Sequence, residues 1–185
     1  MQRVLRPLDV AVALDLALRP GQTFAQMAGD LGISQSTAHQ AVHRLVASGL
    51  ARKSARGYLA NLAALEEFLL HGVRYAFPAS RTRRQRGVPT AHAAPVLRDA
   101  FDGEVEPVVW PAARGSVVGA AIEPLLDTAA ELPGRWPALD DALALVDALR
   151  VGTARDREVA GGLLASRIAA LHGDSPLSVP EPGPG

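Results

Sequence analysis

Six short polar side chains lie close together in the sequence, and their types suit hydrogen bonding to the edges of DNA bases. They are Gln35, Ser36, Thr37, His39, Gln40 and His43. A glutamine such as Gln40 can form two hydrogen bonds with adenine, and the hydroxyls of Ser36 and Thr37 can bind bases or phosphates. Arg44 follows directly and could clamp the DNA backbone. The alternative is that these side chains contact only water.

Two sets of basic residues follow, and both could bind phosphates. The first set is Arg52, Lys53 and Arg56, and the second is Arg81, Arg83, Arg84 and Arg86. The first set would increase the affinity for DNA but would distinguish little between base sequences. The second could follow the DNA backbone or minor groove as a flexible arm, bind an acidic partner, including the acidic half of this chain, or remain solvated. We favour the arm.

The sequence holds no recognisable catalytic or metal-binding pattern. His39 and His43 have the spacing of two zinc ligands on a helix, but no third ligand accompanies them and no Glu lies between them. The chain has no cysteine, which excludes disulfides, thiolate zinc sites and cysteine nucleophiles. A Gly-rich phosphate loop and a Ser/His/Asp order are missing too. We therefore expect a protein that is not an enzyme and that takes no cofactor and no metal.

Two helices are predicted before the polar cluster. Apolar residues predict a helix from Pro7 to Arg19, which Pro20 and the glycine after it would end. Thr23 and Gln26 have the spacing of a capping box, in which each side chain bonds to the other residue's amide. A second, short helix should run from there to Leu31.

The polar cluster itself is predicted to lie on a third helix, followed by a hairpin. Gly32 would end the second helix in the left-handed conformation, and Ser34 would cap the helix Ser34–Ser48. Its apolar residues, at a helical period, are Ala38, Ala41, Val42, Leu45 and Val46. Two short strands on either side of a turn at Ser54–Gly57 should then form a basic hairpin.

The segment Thr23–Asn61 resembles the DNA-binding core of bacterial winged-helix regulators of the MarR and IclR type. The shared features are an alanine in the helix before the turn, the glycine at the turn, the Ser-x-Ser-Thr start of the next helix, a leucine followed by Ala-Ser-Gly-Leu, and the basic hairpin. The resemblance implies a winged helix-turn-helix with helix Ser34–Ser48 in the major groove. It implies sequence-specific binding of double-stranded DNA and no particular ligand.

Charge is divided unevenly along the chain. Residues 1–100 carry thirteen Lys and Arg against six Asp and Glu, whereas residues 101–185 carry six against thirteen. We expect the first half to meet a polyanion and the second half to face another subunit or solvent. The first residues do not have the pattern of a signal peptide, and no apolar stretch approaches the roughly 20 residues of a membrane helix. We expect a cytoplasmic protein without a membrane partner.

The expected fold is mainly α with a small β-wing, in which a mostly helical α+β region follows the N-terminal winged helix-turn-helix. We divide the chain into the DNA-binding domain at 1–62, a connecting helix and basic loop at 63–100, an acidic, mostly helical dimerisation or partner-binding region at 101–172, and a disordered tail at 173–185. The basic loop should extend over Pro78–Pro95.

Two short strands and then three helices are predicted in the acidic region. Short strands are predicted over Val105–Trp110 and Gly115–Ile122, and helices over Ile122–Glu131, Ala138–Leu149 and Asp156–Leu171. The two tryptophans, Trp110 and Trp136, should anchor the packing of this region.

Three functional hypotheses follow. We favour a bacterial transcriptional regulator that binds double-stranded DNA as a homodimer, because two modules double the contacts and match a palindromic site. The first alternative is an antitoxin-like protein that uses the winged helix for autoregulation and covers a protein partner with its acidic C-terminal region. The second alternative uses the winged helix for protein contact alone.

Overall fold

The computed structural model describes residues 4–55, 57–101 and 105–173 of the chain. Within these ranges the protein is mixed α/β, with most of its regular structure in helices and the rest in two small sheets. Arg56, a predicted DNA-binding residue, lies outside the described residues. So do residues 174–185, which are all of the predicted disordered tail except its first residue.

Three helices and a hairpin form the N-terminal part of the molecule. The helices are α1 (Pro7–Leu18), α2 (Phe24–Leu31) and α3 (Gln35–Ala47). Strand β1 (Ala51–Ser54) pairs antiparallel with β2 (Gly57–Ala60). The predicted helices and the predicted hairpin are therefore confirmed.

Local hydrogen bonds explain where α2 and α3 begin and end. The Thr23 hydroxyl accepts from the amide of Gln26 at 3.2 Å, and the Gln26 side chain accepts from the amide of Thr23 at 2.8 Å, which is the predicted capping box. Gly32 ends α2 at a φ of +66°, in the left-handed region that glycine tolerates best. Ser34 caps α3 by accepting from the amide of Thr37 at 3.0 Å.

A continuous helical segment follows the hairpin. It consists of α4 (Leu62–Glu67), a π-helical turn (Phe68–Gly72) and α5 (Val73–Ala76). Its buried residues, Leu65, Leu69 and Val73, are spaced by four, so that one face of the segment stays against the core. This segment is the predicted connecting helix.

Three strands close into a small barrel. Strand β3 (Arg84–Thr90) pairs antiparallel with both β4 (Val108–Pro111) and β5 (Val117–Ala121), and β4 and β5 pair in parallel. Both β4 and β5 overlap the predicted strands. The predicted long loop Pro78–Pro95 is wrong, because residues 84–93 within it form β3 and a 3₁₀ turn (Ala91–Ala93).

Two glycines allow neighbouring backbone segments of this barrel to lie very close to each other. A Cβ atom on Gly87 would lie 2.2 Å from the carbonyl oxygen of Trp110, and one on Gly119 would lie 2.3 Å from that of Pro107. Real Cβ contacts are longer, so any larger residue would push the strands apart. Closure of the sheet depends on glycine at both positions.

The remaining elements are helical. They are α6 (Pro95–Arg98), a 3₁₀ turn (Ala129–Gly134), α7 (Pro137–Val151) and α8 (Ala154–Gly173). The last two confirm the predicted helices Ala138–Leu149 and Asp156–Leu171. A capping box starts α8, because Thr153 and Asp156 each accept from the other's amide.

The predicted helix Ile122–Glu131 is wrong. The Ile122 amide donates to the carbonyl of Val109 at 3.1 Å, so the segment first continues the ladder of β5. Pro124 then disfavours helical backbone at the residue before it. Helical turns begin only at Ala129.

Helix α7 lies at the centre of the molecule. Leu139 and all of Ala142–Leu149 are buried, and α7 packs against α1, α8 and the Ala91–Ala93 turn. One hydrophobic cluster includes residues from Val10 to Ile168, so the N-terminal helices and the C-terminal region share a core. Every helix in the described part of the chain is too short or too polar to cross a membrane.

Candidate nucleic-acid interface

Helix α3 has one buried face and one exposed face. Ala38, Ala41, Val42 and Leu45 are fully buried, and they pack α3 against α1 and α2. Gln35, Ser36 and Gln40 are exposed on the other side. The side-chain amide of Gln40 donates from Nε2 to the Ser36 hydroxyl at 3.4 Å. The exposed face is therefore polar, uncharged and partly ordered.

Thr37 is less accessible than its neighbours on α3. Its hydroxyl lies 2.8 Å from the hydroxyl of Ser34, the residue that caps the helix. The side chain is half-buried. Thr37 thus has a local role in starting the helix, which competes with the predicted contact to DNA.

His39 and His43 pack into an aromatic cluster with two residues that the sequence analysis did not select. The ring of Phe24 lies 5.1 Å from that of His39, and the ring of Tyr58 lies 6.0 Å from that of His43. The two histidine Nε2 atoms are 3.1 Å apart, so one ring donates to the other. The cluster joins α2, α3 and β2, and it fixes the position of the hairpin beside α3. The aromatic character of Phe24 and Tyr58 was the available signal.

Arg44 does not lie on the exposed face of α3. It is 8% exposed, and its guanidinium donates to both oxygens of Asp9, from Nε at 2.7 Å and from Nη2 at 2.6 Å. The hydrogen bonds to Asp9 raise the pKa of Arg44. The predicted backbone clamp is wrong, because this arginine joins α3 to the start of α1.

The hairpin presents its two described cations on opposite faces. Lys53 pairs with Tyr58, whereas Arg52 pairs with Leu59. Directly paired residues share a face of a sheet and consecutive residues alternate. Since Tyr58 contacts His43, Lys53 lies on the face turned toward α3 and Arg52 on the opposite face. Both are exposed.

The four arginines at and before β3 do not form a flexible arm. Arg84 and Arg86 belong to β3, where Arg84 forms an ion pair with Glu106 at 3.2 Å and Arg86 donates to the carbonyl of Gly115 at 3.2 Å. Arg81 and Arg83 precede the strand, and all four are exposed. The neighbours of β3 are β4, β5 and α7, whereas those of α3 are α1, α2 and β1. The structure therefore places these arginines on a separate element from α3.

Contacts from the C-terminal region hold the end of α2. The Thr128 hydroxyl donates to the carbonyl of Leu31 at 2.6 Å, and Arg135 donates to that of Gly29 at 2.8 Å. The guanidinium of Arg19 stacks 3.7 Å above the ring of Trp136, which gives this half-buried tryptophan a packing role. Trp110 is buried and donates to Asp147 at 2.6 Å. The turn before α3 is thus fixed by residues about a hundred positions away.

An acidic residue lies inside this junction. The Asp15 carboxylate accepts from Arg19 at 3.0 Å and from the side-chain amide of Gln22. Its side chain has no exposed surface. Burial raises the pKa of Asp15 to about 6, although Arg19 and Gln22 oppose the shift.

Within the described residues, no group of three or more His, Asp or Glu side chains could hold a metal ion. Comparison with protein-family models gave no match. Comparisons with curated proteins and with solved structures also gave none.

Proposed function

We propose that the chain is a sequence-specific DNA-binding protein that regulates transcription. In this proposal residues 1–62 act as a winged helix-turn-helix, and α3 is the recognition helix. The observation that carries the proposal is the exposed polar face of α3 beside a hairpin with basic residues. From Leu31 to Leu65 the chain has no Asp or Glu, so no carboxylate of this segment would repel phosphate.

The side chains available on α3 suit the major groove. The groove is about 12 Å wide and admits an α-helix, whose first turns meet the base edges. Gln35, Ser36 and Gln40 occupy that part of α3 and are exposed. Gln40 would pair with adenine. Ser36 accepts a hydrogen bond from the side-chain amide of Gln40 and would keep that amide in position.

Other residues would support the contact rather than specify the sequence. Lys53 would meet a phosphate beside α3, and the paired rings of His39 and His43 would shape the surface between α3 and the hairpin. We leave the arginines of β3 outside the proposed interface, because β3 packs on α7.

Fluorescence anisotropy with the purified full chain tests the proposal. The DNA is a set of duplex fragments from the region upstream of its own gene, with shuffled fragments for comparison. We expect at least one fragment to bind much more tightly than the shuffled ones. Gln40→Ala should reduce that preference by about tenfold or more, since a bidentate base contact contributes about 1–3 kcal/mol of discrimination.

A pair of serine variants provides the matched control. Ser36→Ala removes a hydroxyl from the exposed face of α3, and Ser166→Ala removes one from an exposed position on α8. Only Ser36→Ala should lower the preference. Equal binding of all fragments, or equal effects of the two variants, would contradict base recognition by α3. Absence of DNA binding at low salt would favour the protein-contact alternatives instead.

A further inference from the structure

His39 and His43 lie one turn apart on the exposed face of α3. Residues four apart on a helix are neighbours on the same side, and at 100° per residue this pair lies between Gln35 and Gln40 around the helix. His39 is exposed and His43 is half-buried. The contact between their rings is itself exposed to solvent, so a small ion can reach it.

The two imidazole rings converge at their Nε2 atoms. The ring centroids are 4.3 Å apart, whereas the Nε2 atoms are only 3.1 Å apart. Two nitrogens that each lie about 2.0–2.1 Å from one zinc ion are about 2.8–3.4 Å apart, for angles at the metal of about 90–109°. The observed distance falls within this range. One ion can therefore contact both nitrogens with little movement of either ring.

Neighbouring aromatic rings hold the two imidazoles in this arrangement. The ring of Phe24 on α2 lies 5.1 Å from that of His39, edge to face. The ring of Tyr58 on β2 lies 6.0 Å from that of His43, also edge to face. Side chains that are already held in place lose less conformational freedom when they bind a ligand. The aromatic cluster thus prepares the pair for a common ligand.

The pair requires positive charge between its nitrogens. A neutral imidazole has one nitrogen with a hydrogen and one with a free electron pair. At 3.1 Å the two Nε2 atoms repel each other unless one carries a hydrogen or both bind the same cation. The first arrangement is the hydrogen bond between the rings. A metal ion would replace that hydrogen and leave each ring with its hydrogen on Nδ1.

The ligand atoms determine which metal ions suit the pair. Imidazole nitrogen favours copper, nickel and zinc ions, whereas Mg²⁺ and Ca²⁺ prefer oxygen ligands. Within the described residues no third His, Asp or Glu completes the site, so water would fill the other positions. Lys53, on the hairpin face turned toward α3, opposes a bound cation. We therefore expect a weaker site than a structural zinc site with four protein ligands.

We propose that His39 and His43 together bind one divalent transition-metal ion of the zinc and copper class through their Nε2 atoms. The sequence alone predicted no metal, because no third ligand accompanies the pair. The convergence of the two nitrogens is the observation that the sequence could not provide. The ion would lie on the face of α3 that the proposed function assigns to DNA. Metal binding is measured without DNA, so this proposal can fail or hold independently of DNA recognition.

Zinc titration of the full chain, followed by nuclear magnetic resonance of the imidazole nitrogens, tests the proposal directly. We expect the Nε2 signals of both His39 and His43 to move to the positions typical of metal-bound nitrogen. The change should be half complete at or below about 1 mM free Zn²⁺, with one ion bound by the two residues together. His71, an exposed histidine of the π-helical turn, should change little, and Mg²⁺ should change none of the three.

Variants assign the two ligands by calorimetry with Cu²⁺, which nitrogen ligands bind more tightly than Zn²⁺. His39→Asn and His43→Asn each leave one imidazole, so each should weaken Cu²⁺ binding at this site about tenfold or more. The matched control is His71→Asn, which should leave the affinity unchanged. Circular dichroism of each variant checks that the helices are retained.

The outcomes divide clearly. Absence of nitrogen shifts at His39 and His43 up to about 1 mM free Zn²⁺, or a shift at only one of them, would overturn the proposal and leave the pair as a hydrogen bond. Equal effects of His39→Asn and His71→Asn would overturn it too. Should His43→Asn disturb the packing against Tyr58, the exposed His39 variant and the nitrogen shifts of the unmodified chain still decide.

Discussion

Gln40 and Arg44 are one turn apart on α3, yet they have opposite surroundings. Gln40 is exposed, whereas Arg44 is buried against Asp9. The helical period predicted the first correctly, because Gln40 is on the side away from the apolar residues. It could not predict the second, since the partner of Arg44 lies thirty-five positions earlier in the chain. The one indication in the sequence was Asp9, a carboxylate within an apolar helix, which would need a cation beside it if it were buried.

The pair of Arg44 and Asp9 predicts a large effect on stability. Arg44→Met should lower the free energy of unfolding by about 3 kcal/mol, because it leaves the buried Asp9 carboxylate without its cation. Urea denaturation followed by circular dichroism measures this. Adding Asp9→Asn to Arg44→Met should recover part of the loss. A loss below about 1 kcal/mol, typical of an exposed pair, would contradict the burial of this ion pair.

Asp15 predicts a pH dependence of stability. Its pKa is about 6 in the folded protein against an ordinary value of 3.8, so the folded state binds more protons between these values. Stability from this group therefore rises as pH falls from about 6 to about 4, and is lost as pH rises through about 6. Asp15→Asn removes the titrating carboxyl and should remove this contribution, about 2 kcal/mol.

The measurement is the free energy of unfolding of the two proteins from about pH 7 to pH 4. The original chain should gain stability relative to Asp15→Asn as pH falls. Asp127→Asn, at an exposed position, is the control, and its difference from the original chain should vary little. A parallel course for the original chain and Asp15→Asn would show that Asp15 titrates normally.

At the scale of elements, local signals predicted most of the helices, the hairpin and strands β4 and β5. They missed strand β3 and predicted a helix over Ile122–Glu131 that does not form. Capping residues, the left-handed Gly32 and helical periodicity are properties of neighbouring residues, so they are legible in sequence. Strand β3 depends on partners that lie far along the chain, and its arginines and proline resemble those of a loop. Gly87 permits the close approach that pairs it on both sides. A glycine signals such an approach only where the strand that contains it has been recognised, and β3 had been predicted as a loop.

The two faces of the hairpin predict different effects for its two cations. Lys53 shares a face with Tyr58, next to α3, whereas Arg52 is on the opposite face. Lys53→Ala should weaken binding to every duplex and reduce the slope of log affinity against log salt by about 1, the effect of losing one phosphate contact. Arg52→Ala should change the slope less. Anisotropy titrations at several salt concentrations measure both, and a larger effect of Arg52→Ala would contradict the assigned face.

At the scale of the whole molecule, the basic and acidic halves share one core. Helix α7 packs against α1, and Thr128 and Arg135 bond to the end of α2. The uneven charge was visible in sequence, but the packing of the acidic half onto the helices before α3 was not. The turn that sets α3 in place therefore depends on residues from both halves.

We predict at the scale of the whole molecule that two copies of the chain form a homodimer. Two-fold symmetry would double the contacts of α3 and require a palindromic site. Size-exclusion chromatography with light scattering should give twice the chain mass of 19.4 kDa at micromolar concentration. A mass of one chain would contradict the dimer without affecting the assignment of α3.

The most direct test of the proposed function is to map the surface that a DNA duplex contacts on the full chain, by nuclear magnetic resonance. Amide spectra would be recorded as a short duplex is added at low salt. We predict that the largest changes occur at Gln35, Ser36, Gln40 and Lys53, with small changes in β3, β4 and β5. Changes concentrated on the arginines of β3, or no changes on α3 while the duplex binds, would contradict the proposed recognition helix.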